Sequence, residues 1–249
     1  MKIDLFTIGN LTVHGYGLMI GIGILCCVFM ASYRAKRKGL STDAIMDIAI
    51  YGLIAGFIGA KLLFLIVEFE DFIHNPLQLI GSSGFVVYGG IIAGVIAAII
   101  YCRKKRYAFM EYFDLAAPSI AMAQGFGRIG CFLAGCCYGR VTDSVFGVVF
   151  PENSMAPAGV KLLPTQLFSS AGDFLIMIIL LLYSRKAKKP GNVGILYMVL
   201  YGVGRFSIEF LRIDDRGGFG ALSTSQWISI GIVILAGILY YFVNRKEVQ

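Results

Sequence analysis

AQGFGRIGCFLAGCCYGR, residues 123–140, places an arginine, Arg128, inside an apolar run that extends from about residue 114 to 137. Five glycines, at 125, 127, 130, 135 and 139, and three cysteines, Cys131, Cys136 and Cys137, surround it. A charge in hydrocarbon is expensive, so an arginine at that position points to function rather than to packing. Glycines so spaced let neighbouring backbones approach closely, or let a helix unwind where its freed backbone faces a cavity. The stretch reads as an anion site within a membrane.

The rest of the chain supplies that membrane setting. Of 249 residues 57% are hydrophobic and only 15% charged, and the mean hydropathy of +0.77 exceeds what a soluble domain needs. The fold class expected is an all-α integral membrane protein. Apolar spans fall at about 13–33, 44–67, 84–102, 114–137, 165–183, 193–211 and 225–243, about seven transmembrane helices of roughly 20 residues each. Residues 1–249 are expected to form a single polytopic domain. The longest polar stretch, 138–164, is its candidate external cap, and 68–82 a short amphipathic interfacial piece. The N-terminal MKIDLFTIGNLTVHGYG lacks a basic start, an apolar core and a small-residue cleavage site, so no removable signal peptide is expected.

The net charge of +7 does not point to nucleic acid, because its cations sit in short clusters beside apolar spans. Arg34 to Lys38, Arg103 to Arg106, Arg185 to Lys189, and Arg245 with Lys246 follow spans one, three, five and seven; the opposite loops hold only Lys2, Arg140, Lys161, Arg212 and Arg216. The positive-inside rule puts the N-terminus outside and the C-terminus in the cytoplasm.

Three cations remain within spans: Lys61, Arg128 and Arg205. At 1.5 Å per residue they lie roughly 25, 21 and 18 Å along spans two, four and six, all directed at the outer half of the bilayer. Snorkelling near a helix end competes as an account of Lys61, and a structural ion pair competes for the arginines. Tyr201, Arg205, Glu209 and Arg212 recur at intervals of four, four and three, predicting one polar helical face. Two arginines against one carboxylate there, with Arg128 from another helix, leave positive charge that a phosphate would neutralise through bidentate guanidinium contacts. The inner halves of spans four and six are nearly bare of charge. A site opening outward and sideways to a phospholipid headgroup is therefore favoured over an anion conduction path.

GRIGCFLAGCCYGR resembles the signature region of bacterial phosphatidylglycerol–prolipoprotein diacylglyceryl transferases, whose pattern runs G-R-x-G-N-F-x-N-x-E-x-x-G. The likeness continues in HGYGLMIG, VVYGGIIAG, PTQLF, YGVGRFSIEFLR and STSQWISI, nearly the whole chain. It implies a multi-pass enzyme of the bacterial cytoplasmic (inner) membrane with two partners, phosphatidylglycerol and the lipobox cysteine of a preprolipoprotein. The diacylglyceryl group passes to that cysteine and glycerol phosphate is released. No metal and no cofactor are implied. Residue by residue, Arg128 matches the signature arginine, Gly139 the closing glycine and Arg205 the essential arginine of span six, while Tyr16 and Tyr201 match tyrosines near the site. Glu209, Arg212 and Lys61 complete the expected substrate-binding set.

The chain departs from the pattern at Tyr88, where the family has histidine before Gly-Gly, at Cys131 for asparagine and at Cys136 for glutamate. Thioether formation needs a thiolate and stabilisation of the leaving phosphate, which pre-placed arginines provide. Tyr88 would act on the thiol only as a phenolate, a state that nearby positive charge favours; the competing reading is an aromatic lining a lipid cavity. Cys-x4-Cys-Cys is not a standard metal spacing. Cys131, Cys136 and Cys137 are accordingly read as small packing residues or, near an oxidising face, as possible reactive thiols. A second reading stays open: a diverged relative that keeps the lipid-phosphate scaffold and uses the cysteines for thiol redox, for another transfer or for binding alone.

Overall fold

The computed structural model describes residues 4–8, 11–213 and 218–245; Lys2, Arg216 and Lys246, used above for orientation, lie outside the described residues. In chain order the elements are β1 (Asp4–Ile8), β2 (Leu11–His14), α1 (Gly15–Arg37), α2 (Thr42–Val67), α3 (Phe69–His74), α4 (Pro76–Gly81), α5 (Val87–Lys105), α6 (Phe109–Ala134), β3 (Val148–Val149), β4 (Lys161–Leu162), α7 (Thr165–Tyr183), α8 (Asn192–Glu209), β5 (Gly218–Phe219), β6 (Leu222–Ser223) and α9 (Thr224–Arg245). The fold is mostly helical. Among the described residues, five helices, α1, α2, α5, α7 and α9, are long and apolar enough to cross a membrane. Helices α6 and α8 coincide with the fourth and sixth apolar spans, but charged residues interrupt them. The three strand pairs, each an antiparallel two-stranded ribbon, add to the helical expectation.

Two compact units form, Ser32–Tyr112 and Met1–Ala31 with Phe113–Gln249. In the first of these, α2 and α5 meet through glycine. A Cβ on Gly59 would strike the Gly89 carbonyl at 2.6 Å, and one on Gly90 the Gly56 carbonyl at 2.9 Å, so bare backbone is what lets these helices touch. Ser41 caps α2, accepting from the Ala44 N–H at 3.2 Å. The 68–82 stretch, read as an interfacial piece, is the two short helices α3 and α4, with Phe69, Ile73, Leu77 and Ile80 exposed.

In the other unit, Ala117 and Ala121 of α6, Ile176 and Leu180 of α7 and Val193 of α8 make one buried cluster. The start of α8 is capped from outside its own sequence. Its N-cap, Gly191, has no side chain, and buried Asp114 of α6 accepts from the Gly191 and Gly194 N–H groups, each at 2.7 Å. A carboxylate at a helix N-terminus satisfies orphan donors and opposes the positive end of the dipole. The segment 138–164 has its own small core of Phe150, Ala156 and Leu162, tied together by β3 and β4.

Candidate active site

Arg205 is 8% exposed, and the start of α9 determines where its guanidinium points. Ser223 and Gln226 form a reciprocal cap: the Gln226 N–H donates to Ser223 Oγ at 3.3 Å and the Ser223 N–H to Gln226 Oε1 at 3.0 Å. The Ser223 hydroxyl donates in turn to Glu209 Oε1 at 2.9 Å. The other carboxylate oxygen, Oε2, takes the ion pair from Arg205, whose second terminal nitrogen donates to buried Ser225 Oγ at 2.7 Å. Glu209 is thus a clamp between the cap and the arginine.

Arg128 comes from α6 into the same cleft as Arg205, a cavity of about 260 Å³ also lined by Asp173, Tyr201, Phe168 and Ser207. Arginines from two different helices therefore line one opening. Tyr201 stacks on Tyr197 with ring centroids 5.8 Å apart, and the Tyr197 hydroxyl donates to Gln124 Oε1 on α6 at 2.9 Å. That chain of contacts fixes α8 against α6 beside the arginines. Gly125 has a structural use here: an added Cβ would stand 3.0 Å from the Phe174 ring, and its carbonyl accepts the Ser170 hydroxyl at 2.9 Å. Gly130 lets α1 approach, since its Cβ would lie 3.2 Å from Tyr16 Cδ2. Tyr16 thereby lies over the same turn of α6.

The apolar run does not stay helical to residue 137. Helix α6 stops at Ala134 because Gly135 turns left-handed, with φ +74. The Gly135 N–H then donates to the Phe132 carbonyl at 3.2 Å and the Cys136 N–H to the Cys131 carbonyl at 3.1 Å, the two bonds of a Schellman ending. Cys137 also has positive φ, 64. Thr165 Oγ1 donates to its carbonyl at 2.8 Å, and Gln166 Nε2 donates to that of Cys136 at 2.7 Å. Gly139 follows in a three-way junction, where a Cβ would meet Thr165 Cγ2 at 2.6 Å, the Leu211 carbonyl at 2.8 Å and Leu163 Cβ at 2.9 Å.

That junction corrects one expectation. Arg212 does not continue the helical face of Tyr201, Arg205 and Glu209, because α8 ends at Glu209. The chain instead pairs Arg212 with Gly139, and the Leu211 carbonyl accepts the Arg140 N–H at 2.9 Å. The Arg212 side chain meets Cys137.

Lys61 and Tyr88 belong to the unit of residues 32–112. Lys61 Nζ donates to the Ser82 carbonyl at 2.8 Å, to Ser82 Oγ at 3.2 Å and to the Gly84 carbonyl at 3.3 Å, and lies over the Phe64 and Phe85 rings. Those are local bonds that fix the turn leading into α5. Tyr88, the second residue of α5, is half-buried just before the glycines that pack on α2.

Asp173 is the residue that sequence reasoning missed. It is 6% exposed, lines the cleft and lies within electrostatic reach of Arg128. The signal was available: an acid in the middle of an apolar span deserves the same suspicion as an arginine.

Comparison with known proteins places the chain in a family. The family model described as prolipoprotein diacylglyceryl transferase matches residues 4–243. A phosphatidylglycerol–prolipoprotein diacylglyceryl transferase of Clostridium tetani is 49% identical over 251 residues, covering 100% of both chains. A protein of Clostridium perfringens named phosphatidylglycerol–prolipoprotein diacylglyceryl transferase 2 is 44% identical, covering 99% of this chain and 97% of its own. One from Finegoldia magna is 34% identical over 98% of this chain and 96% of its own. With a match along nearly its full length, the chain belongs to the prolipoprotein diacylglyceryl transferase family.

Proposed function

We propose that the chain transfers the diacylglyceryl group of phosphatidylglycerol to the lipobox cysteine thiol of a preprolipoprotein and releases glycerol phosphate. The observation that carries this is the shared cleft of Arg128 and Arg205. The phosphodiester sits between the two guanidiniums, with Tyr16, Tyr201, Glu209, Arg212 and the Gly139 junction shaping or steadying the pocket. Lys61 contributes by holding the turn at residues 82–84. The cysteine sulfur, deprotonated, forms a bond to the terminal glyceryl carbon as the carbon–oxygen bond to phosphate breaks. The electron pair leaves on the phosphate oxygen, where Arg128 and Arg205 meet the developing charge. Of the side chains lining the cleft, Asp173 is the one whose ionised form is a base at neutral pH, so it receives the thiol proton. Tyr88 takes the remaining part, helping to ionise the thiol or orienting the phosphate.

The chain works as one polytopic membrane domain of seven spans, with residues 138–164 as its external cap, the N-terminus outside and the C-terminus in the cytoplasm of a bacterium. Basic last turns on α1 and α5 support that orientation. A match over residues 4–243 to a family named for the transfer leaves the diverged-relative reading without support of its own.

The test is expression in cells depleted of their own transferase, scored by lipidated prolipoprotein. The wild-type chain is expected to restore it. Arg128→Gln and Arg205→Gln are each expected to lower transfer at least about 100-fold, the size seen when one pre-placed donor to developing charge is lost. Tyr88→Phe should lower it strongly. Near-normal transfer in both arginine variants would end the proposal; near-normal transfer in Tyr88→Phe would remove that residue alone.

A further inference from the structure

The sulfur atoms of Cys131, Cys136 and Cys137 lie within 4.8 Å of one another, although their sequence spacing matches no standard metal motif. Helix geometry alone would not gather them. The Schellman ending at Gly135 folds Cys136 back over the last turn of α6, and its thiol meets the Cys131 carbonyl at 3.7 Å. The left-handed backbone at Cys137 then brings the third sulfur to the other two. Thr165 and Gln166 hold this turn by its carbonyls, so the side chains do not have to brace it.

We propose that Cys131, Cys136 and Cys137 form a binding site for one thiophilic d10 metal ion, Zn2+ or Cu+. Thiolate ligands select these ions over hard cations. With a metal–sulfur bond of about 2.3 Å, three sulfurs around one ion stand about 4 Å apart, so rotamer adjustment closes the observed triangle without moving the backbone. The charge suits it as well. The Arg212 side chain bonds Cys137 and Arg128 lies within electrostatic reach of Cys131 and Cys137, so two cations stand by to offset the net negative charge of three thiolates around one ion. Three thiolates leave a fourth position open on Zn2+, whereas Cu+ is satisfied by three. The ion would tie the last turn of α6, which carries Arg128 three residues before Cys131, to the turn that Thr165 and Gln166 hold. This site is separate from the lipid-transfer reading, and its failure would leave that reading standing.

The experiment uses the full chain in detergent, reduced and stripped of metal, titrated with Cd2+ as a spectroscopic probe for the zinc site and, without oxygen, with Cu+. The expected result is a sulfur-to-metal charge-transfer band saturating at one ion per chain, with excess Zn2+ competing with Cd2+ for that one site if it is a zinc site and Cu+ alone saturating it if it is a copper site. Cys131→Ser and Cys136→Ser are each expected to weaken binding at least tenfold, while Cys102→Ser, in the other unit, leaves it unchanged. If a serine variant fails to fold, alkylation of the wild-type protein mapped by mass spectrometry gives the same answer: the ion must protect Cys131, Cys136 and Cys137 together. No saturable band with either ion, a band that survives both substitutions, or a disulfide among the three that takes up no ion would overturn the site.

Discussion

Ser225 touches Arg205 and, in the proposed reaction, nothing that reacts, so Ser225→Ala isolates what holding the arginine is worth. The hydroxyl accepts from a guanidinium nitrogen at 2.7 Å and is 5% exposed, so water does not readily replace it. A hydrogen bond to a charged group contributes about 1.5–3 kcal/mol, and about 1.4 kcal/mol is tenfold in an equilibrium constant. If Arg205 must be held in the orientation seen here to meet the phosphate, transfer should fall about 10- to 100-fold. Glu209 still binds the other nitrogen, so the loss should stay below that of Arg205→Gln. The assay is thioether formation on a lipobox peptide in proteoliposomes of defined phosphatidylglycerol content, with thermal unfolding measured in parallel. A purely structural role would lower Tm and leave kcat/KM alone, whereas the positioning role lowers kcat/KM and is rescued by Ser225→Thr, which restores a hydroxyl. Activity within twofold of wild type in a folded Ser225→Ala protein would show that Arg205 does not depend on this hydroxyl for its working position.

Asp173→Asn should reduce kcat by about 100-fold or more, the span of general-base contributions, with KM for phosphatidylglycerol unchanged or lower; a fall in KM alone would make the residue a charge balance and nothing more. Gly139→Ala should destabilise by about 1–3 kcal/mol through overpacking, seen as a lower Tm, because three neighbours stand under 3 Å from the added methyl. Asp114→Ala, which strips two N–H groups of α8 of their acceptor, should cost about 1–3 kcal/mol and lower Tm while leaving KM for the lipid within twofold. Wild-type unfolding in either of these last two variants would show that the packing or capping account is misassigned.

The long helices were legible because an apolar run of about 20 residues has few alternatives in a bilayer; α7 spans Thr165–Tyr183, the interval expected. The two arginines were legible for the converse reason, as charges where hydrocarbon penalises them. What the sequence hid depended on contacts between elements. Arg212 fits the helical period, yet the helix stops at Glu209, since residues 211–212 find partners at 139–140, and no local signal announces that pairing. The letters STSQ were legible as a motif, but reading Ser223 and Gln226 as a cap that also orients Glu209 required knowing that α8 and α9 meet there. Asp173 went unread because only cations were sought within the spans.

The departures from the family pattern at residues 88, 131 and 136 fall where the backbone, not the side chain, does the structural work. At positions 131 and 136 the fold uses a carbonyl and an N–H of one helix ending, and a second carbonyl that Gln166 holds; any side chain compatible with that turn leaves those bonds intact. At position 88 the packing on α2 is made by the two glycines that follow, again independently of the ring. The arginines are different, because Arg205 is fixed through its own guanidinium to Glu209 and Ser225. A lysine there keeps the charge but loses the fork that bridges two acceptors. Positions 88, 131 and 136 are therefore held by backbone, whereas Arg205 is held by its side chain. On that argument Arg205→Lys should be far more damaging to transfer than Cys131→Asn or Cys136→Glu, each of which restores the family residue, and the reverse order in the same lipidation assay would break it.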